Sequence, residues 1–273
     1  MHSELKKLAL NLVRGAFLEL YLTPKPGLVD QYDSGSHSDL SLSTMEESLK
    51  IVTRYLLELS EAVGNGGDFA AQVRIGNAAE RAMLKQLGTN SHKGYIFLSG
   101  LLLSASSQAT SQDESALRQA VTTLAIEFFN RDESWASNGS KARNRFGAGG
   151  VRTEALNGLP SLFGEALPAF RQEILSGGNR GSAVYAMLGR LMATVEDTTS
   201  LHRCGSEGLK TVREDGRMLE RLVADREDFI SFLSERNDHY VSKNLTMGGV
   251  ADLLALAFAW LSHTGELEGV SQA

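Results

Sequence analysis

Lys25 stands between Pro24 and Pro26, and Asp30, Asp33, His37 and Asp39 follow it in a loop rich in glycine and serine. Each proline fixes its own φ and pushes the residue before it out of the helical region. The Pro-Lys-Pro segment is therefore expected to be stiff and extended, with its lysine held in a set direction. One fixed cation beside groups able to bind a metal or carry protons suits a phosphorylated ligand.

Other polar breaks carry similar chemistry. In Gly88–Gly94, Asn90 or Ser91 is placed to cap an apolar helix, and His92 and Lys93 add donors where a helix start attracts anions. A plain capped core helix fits the same residues, and the Gly-x-x-x-x-Gly-Lys-Ser/Thr phosphate loop is not met. In Gly147–Pro160, the glycines permit close backbone approach to a ligand. Arg152 offers a two-pronged phosphate grip and Glu154 a base or Mg²⁺ ligand; a surface Arg–Glu pair is the plainer alternative. In Glu196–Gly205, Asp197 and His202 lie five positions apart, about 140° around an unbroken helix. A local break at Thr198, Thr199 and Ser200 would let Asp197, His202 and Arg203 converge; otherwise they are scattered on a surface helix. Gly248 and Gly249 open a very apolar helix with Asp252 in its first turn, where a carboxylate also complements the helix dipole. His2, His239 and His263 read as ordinary surface residues. A His-Glu-x-x-His zinc motif, a Gly-x-Ser-x-Gly elbow and a Rossmann fingerprint are all lacking.

The elements that must position these groups read as helices throughout. Leu5, Leu8, Leu12, Ala16 and Leu20 recur at helical spacing until Pro24. Overlapping capping boxes at 43–47 precede a run through Ile51, Tyr55 and Leu59, closed by Gly64–Gly67. Further helices are expected near 68–87, 92–107, 114–130, 165–176, 181–195, 206–223 and 250–262. Alternating strand patterns are essentially missing, so the fold class is all-α, a single multi-helix domain over 1–273 with its active site in polar loops. Only Asn130–Gly150 resembles a linker or a lid. A net charge of −6 argues against general nucleic-acid binding. A lone cysteine, Cys204, excludes an internal disulfide and a cysteine-rich zinc site. The start of the chain has no signal-peptide pattern and the apolar runs are too short for a membrane span, so a cytoplasmic soluble protein is expected.

Taken together, six segments resemble the triphosphoribosyl-dephospho-coenzyme A synthase family, in family order. They are Leu-Thr-Pro-Lys-Pro-Gly-Leu-Val-Asp at 22–30, Gly-Ser-His-Ser-Asp at 35–39 and Asn-Ser-His-Lys-Gly at 90–94. Arg-Thr-Glu-Ala follows at 152–155, then Asp-Thr-Thr-Ser-Leu-His-Arg at 197–203 and Gly-Gly-Val-Ala-Asp-Leu-Leu at 248–254. Ser91, Thr153, Thr199, Cys204 and Thr246-Met247 depart from the usual family residues.

The resemblance implies transfer of the 5-triphosphoribosyl group of ATP to the 2′-hydroxyl of 3′-dephospho-coenzyme A, with release of adenine. The product is the precursor of the prosthetic group of citrate lyase and malonate decarboxylase acyl carriers. It implies Lys25, Lys93, Arg152 and Arg203 on phosphates, with Asp30, Asn90, Ser91, Thr198, Gly248, Gly249 and Asp252 completing the substrate site. His37, His92 and His202 become candidates for proton transfer, and Asp39, Glu154 and Asp197 for Mg²⁺ binding or oxocarbenium stabilisation. The expected partners are ATP and 3′-dephospho-coenzyme A, with no nucleic acid and no membrane; a homodimer is compatible with the sequence. Two alternatives stay open: a same-scaffold enzyme acting on another nucleotide or pyrophosphorylated substrate, and a non-catalytic nucleotide-binding protein.

Overall fold

The computed structural model describes residues 2–111, 113–131 and 148–268. The helices are α1 (His2–Tyr21), α2 (Leu42–Gly64), α3 (Phe69–Leu87), α4 (Lys93–Ser106), α5 (Glu114–Arg131) and α6 (Gly150–Leu156). A π-helical turn, Ser161–Ala166, runs into α7 (Leu167–Leu175), followed by α8 (Arg180–Thr194), α9 (Thr198–Ala224), α10 (Phe229–Lys243) and α11 (Gly248–Thr264). No strand occurs among the described residues, and the all-α expectation holds. No helix among them is long and apolar enough to cross a membrane.

α11 organises the core. Every residue from Leu253 to Ser262 is buried, as expected of a helix that is apolar on all sides. α1 lies along it, turning Leu5, Leu8, Leu12, Ala16 and Leu20 inward. Gly15 lets the two backbones approach closely, since a Cβ there would overlap the Ala255 carbonyl and Ala259. One cluster of buried apolar side chains draws on every helix. Each large member contributes about 1.5–3 kcal/mol by leaving water, enough to hold the polar ends of the helices in place around it.

Several expectations change. The capping residue of α2 is Ser41, whose hydroxyl accepts from Thr44 N–H, two residues before the boxes read in the sequence. His92, not Asn90 or Ser91, occupies the start of α4, without a side-chain cap. α6 and α10 were not anticipated. α9 begins at Thr198 and kinks at Gly205, whose φ of 67° suits glycine. The break therefore falls after His202, not among 198–200. His263 is half-buried and packs on Trp260, with ring centroids 5.7 Å apart, so it is not a free surface histidine. Most of the suspected linker or lid at 130–150 lies outside the described residues.

Candidate active site

A cleft of about 700 Å³ opens where several chain breaks meet. Its walls are His37, Asp39 and Leu40 from the loop after α1, and Asn90, Ser91, Lys93 and Gly94 around the start of α4. Val151, Thr153 and Glu154 come from α6, Glu196, Thr198, Thr199 and Arg203 from the start of α9, and Gly248, Gly249 and Asp252 from α11. The long helices α4, α9 and α11 thus direct their positive dipole ends at one volume, which favours an anion there. A smaller chamber of about 70 Å³ lies behind it and shares His37, Ser91, Gly248 and Asp252 with the cleft. Glu19, His92 and Tyr95 line this chamber.

The buried groups beneath the cleft hold its walls in register. Asp197 is fully buried as the N-cap of α9. Its oxygens accept from Ser200 N–H at 2.7 Å, Ser200 Oγ at 2.9 Å and Val250 N–H at 3.0 Å, and from Gly249 N–H. One carboxylate therefore ties the starts of α9 and α11 together. Lys25 is also buried, and its ammonium meets Glu19 Oε1 at 2.5 Å and donates to the Glu19 carbonyl. Asp30 accepts from the backbone N–H of Lys25 at 3.1 Å and of Tyr32 at 2.8 Å, which shapes the Pro-Lys-Pro loop. The lysine is held firmly, as the sequence suggests, but towards α1 instead of the cleft.

Of the residues singled out in the sequence, His37, Asp39, Asn90, Ser91, Lys93, Glu154, Thr198, Arg203, Gly248, Gly249 and Asp252 line the cleft. Lys25, Asp30, His92, Arg152, Asp197 and His202 do not. Arg152 stacks on Phe129, 4.3 Å from the ring centroid, and His202 is exposed. Two acids escaped notice as site residues. Glu196 Oε2 accepts from Gly149 N–H at 2.6 Å and so joins the α6 and α9 walls. Glu19 lies three residues after Ala16, on the apolar stripe of α1. An acid at such a position was the available signal.

Comparison with known proteins then decides the family. The sequence matches the ATP:dephospho-CoA triphosphoribosyl transferase family over residues 5–269. The chain belongs to that family. It is 33% identical to the 2-(5''-triphosphoribosyl)-3'-dephosphocoenzyme-A synthase of Pectobacterium atrosepticum, over 90% of this chain and 85% of the relative. Probable synthases of the same name from Pseudomonas putida and Streptococcus equi subsp. zooepidemicus are 32% and 31% identical. They cover 91% and 95% of this chain and 91% and 97% of their own lengths. No solved structure gives a significant match.

The cleft separates its titratable groups by environment. Arg203 donates to Ser36 O at 2.5 Å and to His37 Nδ1 at 3.2 Å, while His37 Nε2 lies 3.1 Å from Thr246 Oγ1. A guanidinium has only donors, so Nδ1 accepts and Nε2 carries the proton. Burial, then the charge of Arg203, lowers His37 to about 4, against a smaller opposing effect of Asp39. Burial, then Lys25, lowers His92 to about 4, and its Nδ1 lies 2.8 Å from Ser48 Oγ.

Both rings should stay neutral through pH 6.5, with their proton magnetic resonances moving only near about pH 4. Titration of either ring at its ordinary value would refute the burial shown. The unfolded chain protonates these rings near 6.5, so each draws stability down as pH falls from 6.5 towards 4. The carboxyls act in the opposite sense. Burial, then the charges of Glu19 and Asp197, raises Asp252 well above the usual carboxyl range. Burial also raises Glu154, although Ser161 donates to it from Oγ at 2.5 Å and from N–H at 3.2 Å.

Proposed function

We propose that the cleft binds ATP and 3′-dephospho-coenzyme A together and transfers the 5-triphosphoribosyl group, releasing adenine. The observation carrying this reading is the convergence of three long helix starts, Lys93 and Arg203 on a cleft that also holds Asp39, Glu154, Glu196 and Asp252. The cations and dipoles suit a triphosphate that stays intact, and the carboxyl groups suit a cationic ribosyl centre. The acceptor 2′-oxygen forms a bond to the ribose anomeric carbon, and the bond from that carbon to adenine breaks with its electron pair leaving on the base. Adenine gains a proton and the acceptor hydroxyl loses one.

Asp252 is the acid best suited to protonate adenine, because its burial favours the neutral form at the cleft wall. Asp39, Glu154 and Glu196 are left to counter the oxocarbenium charge and accept the acceptor proton. Among the described residues no three metal-ligating side chains converge. A Mg²⁺ ion would accordingly take most ligands from triphosphate and water, with Asp39 as the protein's carboxylate; Ser161 already occupies both oxygens of Glu154. Asp197 does not fit that role, since backbone N–H groups and Ser200 occupy its oxygens. When bound, the ion would offset charge on the triphosphate. Both substrates are cytoplasmic metabolites, which supports a cytoplasmic location.

Incubation with ATP and 3′-dephospho-coenzyme A should yield free adenine and a triphosphoribosylated acceptor in equal amounts by liquid chromatography and mass spectrometry. Release of ADP or pyrophosphate without adenine would overturn the reading.

A further inference from the structure

A second, narrower opening lies between α2, α3, α4 and α5, on the face of α4 turned away from the cleft. Lys93, Gly94 and Leu98 border the cleft, whereas Ile96, Phe97 and Leu101 border this slot. Its volume is about 50 Å³, room for roughly four water-sized spheres. That is too small for a purine and leaves room only for part of a slender chain. Phe69, Val73, Phe97, Leu101 and Phe128 make the walls apolar.

Two polar groups interrupt that lining. Gln72 is 8% exposed; its Nε2 donates to Gly67 O at 2.9 Å, while its buried Oε1 has no hydrogen-bond partner. A buried acceptor left unpaired is costly, so this oxygen calls for a donor. Glu80 stands between the slot and the cleft. It lines the slot, accepts from Asn90 Nδ2 at 3.2 Å and pairs with Lys93 at 3.4 Å.

We propose that this slot holds the pantetheine arm of the acceptor, with Gln72 Oε1 accepting an amide N–H of the arm. The proposal rests on the reading of the cleft as the transfer site. Pantetheine is a narrow, largely apolar chain carrying amide donors, which matches both the walls and the unpaired acceptor. A fatty acyl chain would leave Gln72 unsatisfied. At 1.5 Å per residue, Gly94 to Leu101 spans roughly 10 Å along α4, less than an extended pantetheine arm. The reach is thus sufficient for an acceptor diphosphate near Lys93 to place its arm in the slot, which requires the Glu80 side chain to yield its contacts with Asn90 and Lys93.

Gly76→Leu tests this by filling the slot from α3. A Cβ at Gly76 meets only the Tyr55 side chain, a ring carbon at 3.8 Å and the hydroxyl at 3.9 Å, so the first added carbon is accommodated. ADP, which carries the acceptor 2′-hydroxyl without the arm, is the comparison substrate. The KM for dephospho-coenzyme A should rise about tenfold, while KM for ATP and adenine release with saturating ADP stay at wild-type values. Gln72→Met should raise the same KM several-fold. An unchanged KM for dephospho-coenzyme A, or equal impairment with both acceptors, would overturn the slot. Calorimetric titration of dephospho-coenzyme A onto wild type and Gly76→Leu makes the comparison without turnover. An inactive enzyme whose binding still weakens in Gly76→Leu would overturn the assigned reaction and leave the slot standing. Binding equal in both proteins would sink the slot itself.

Discussion

Replacing Lys25 with methionine should destabilise the protein by about 3–5 kcal/mol, seen as a lower urea midpoint at unchanged slope. The side chain is 1% exposed, and its ammonium is held by the Glu19 carboxylate and carbonyl. Methionine restores most of the volume but leaves Glu19 buried without its counter-ion, in the same chamber as Asp252. Coulomb repulsion and lost solvation then fall on one acid pair. Replacing both ends, Lys25→Met with Glu19→Leu, should recover most of the loss, because an apolar pair removes the unmatched charge. That double variant also separates two roles for the lysine. If Lys25 only supports the floor, the recovered protein keeps its KM for ATP; if the ammonium reaches the triphosphate, stability returns without ATP affinity. A single variant within 1 kcal/mol of wild type would refute the buried-pair account.

Lys25 also marks what the sequence could and could not reveal. The six motifs located nearly every wall of the cleft, because helix starts and glycine-containing breaks have strong local signatures. Whether a charged residue in such a break faces a ligand or supports the wall depends on burial, which residue type does not encode. Asp197 and Asp252 illustrate this. Both are acids beside helix starts, yet Asp197 is fully buried and enclosed by N–H donors, whereas Asp252 is half-buried and borders open volume. Helix α11 was legible from its uninterrupted apolar run. α10 was not, since only Leu233 and Tyr240 are buried along it and most of its surface is polar. Its function is to back the Pro-Lys-Pro loop: Asn237 accepts from Gly27 N–H at 2.9 Å and donates to Asp33 at 2.8 Å. Those contacts join positions more than 200 residues apart, beyond any local pattern.

Asp252→Asn should leave the fold intact and lower kcat for adenine release by about 10²–10⁴-fold. Asparagine has nearly the same shape and can still accept the Tyr95 N–H that reaches Asp252 in the native protein. It cannot hand over a proton. Shape matters at this position, because a Cβ at Gly94 would overlap the Asp252 carboxyl, leaving no slack for a larger group. The pH profile supplies a second readout. With burial and the charges of Glu19 and Asp197 raising Asp252 well above the ordinary range, the protonated acid persists to higher pH than an exposed aspartate would. Wild-type kcat should then fall as pH rises through that raised value. The residual activity of the variant should lose this limb, since the amide does not titrate. Near-native kcat in the variant, or a wild-type alkaline limb that survives in it unchanged, would remove Asp252 from proton transfer to adenine. Loss of ATP affinity with kcat preserved would instead assign it to shaping the start of α4, which lines the cleft.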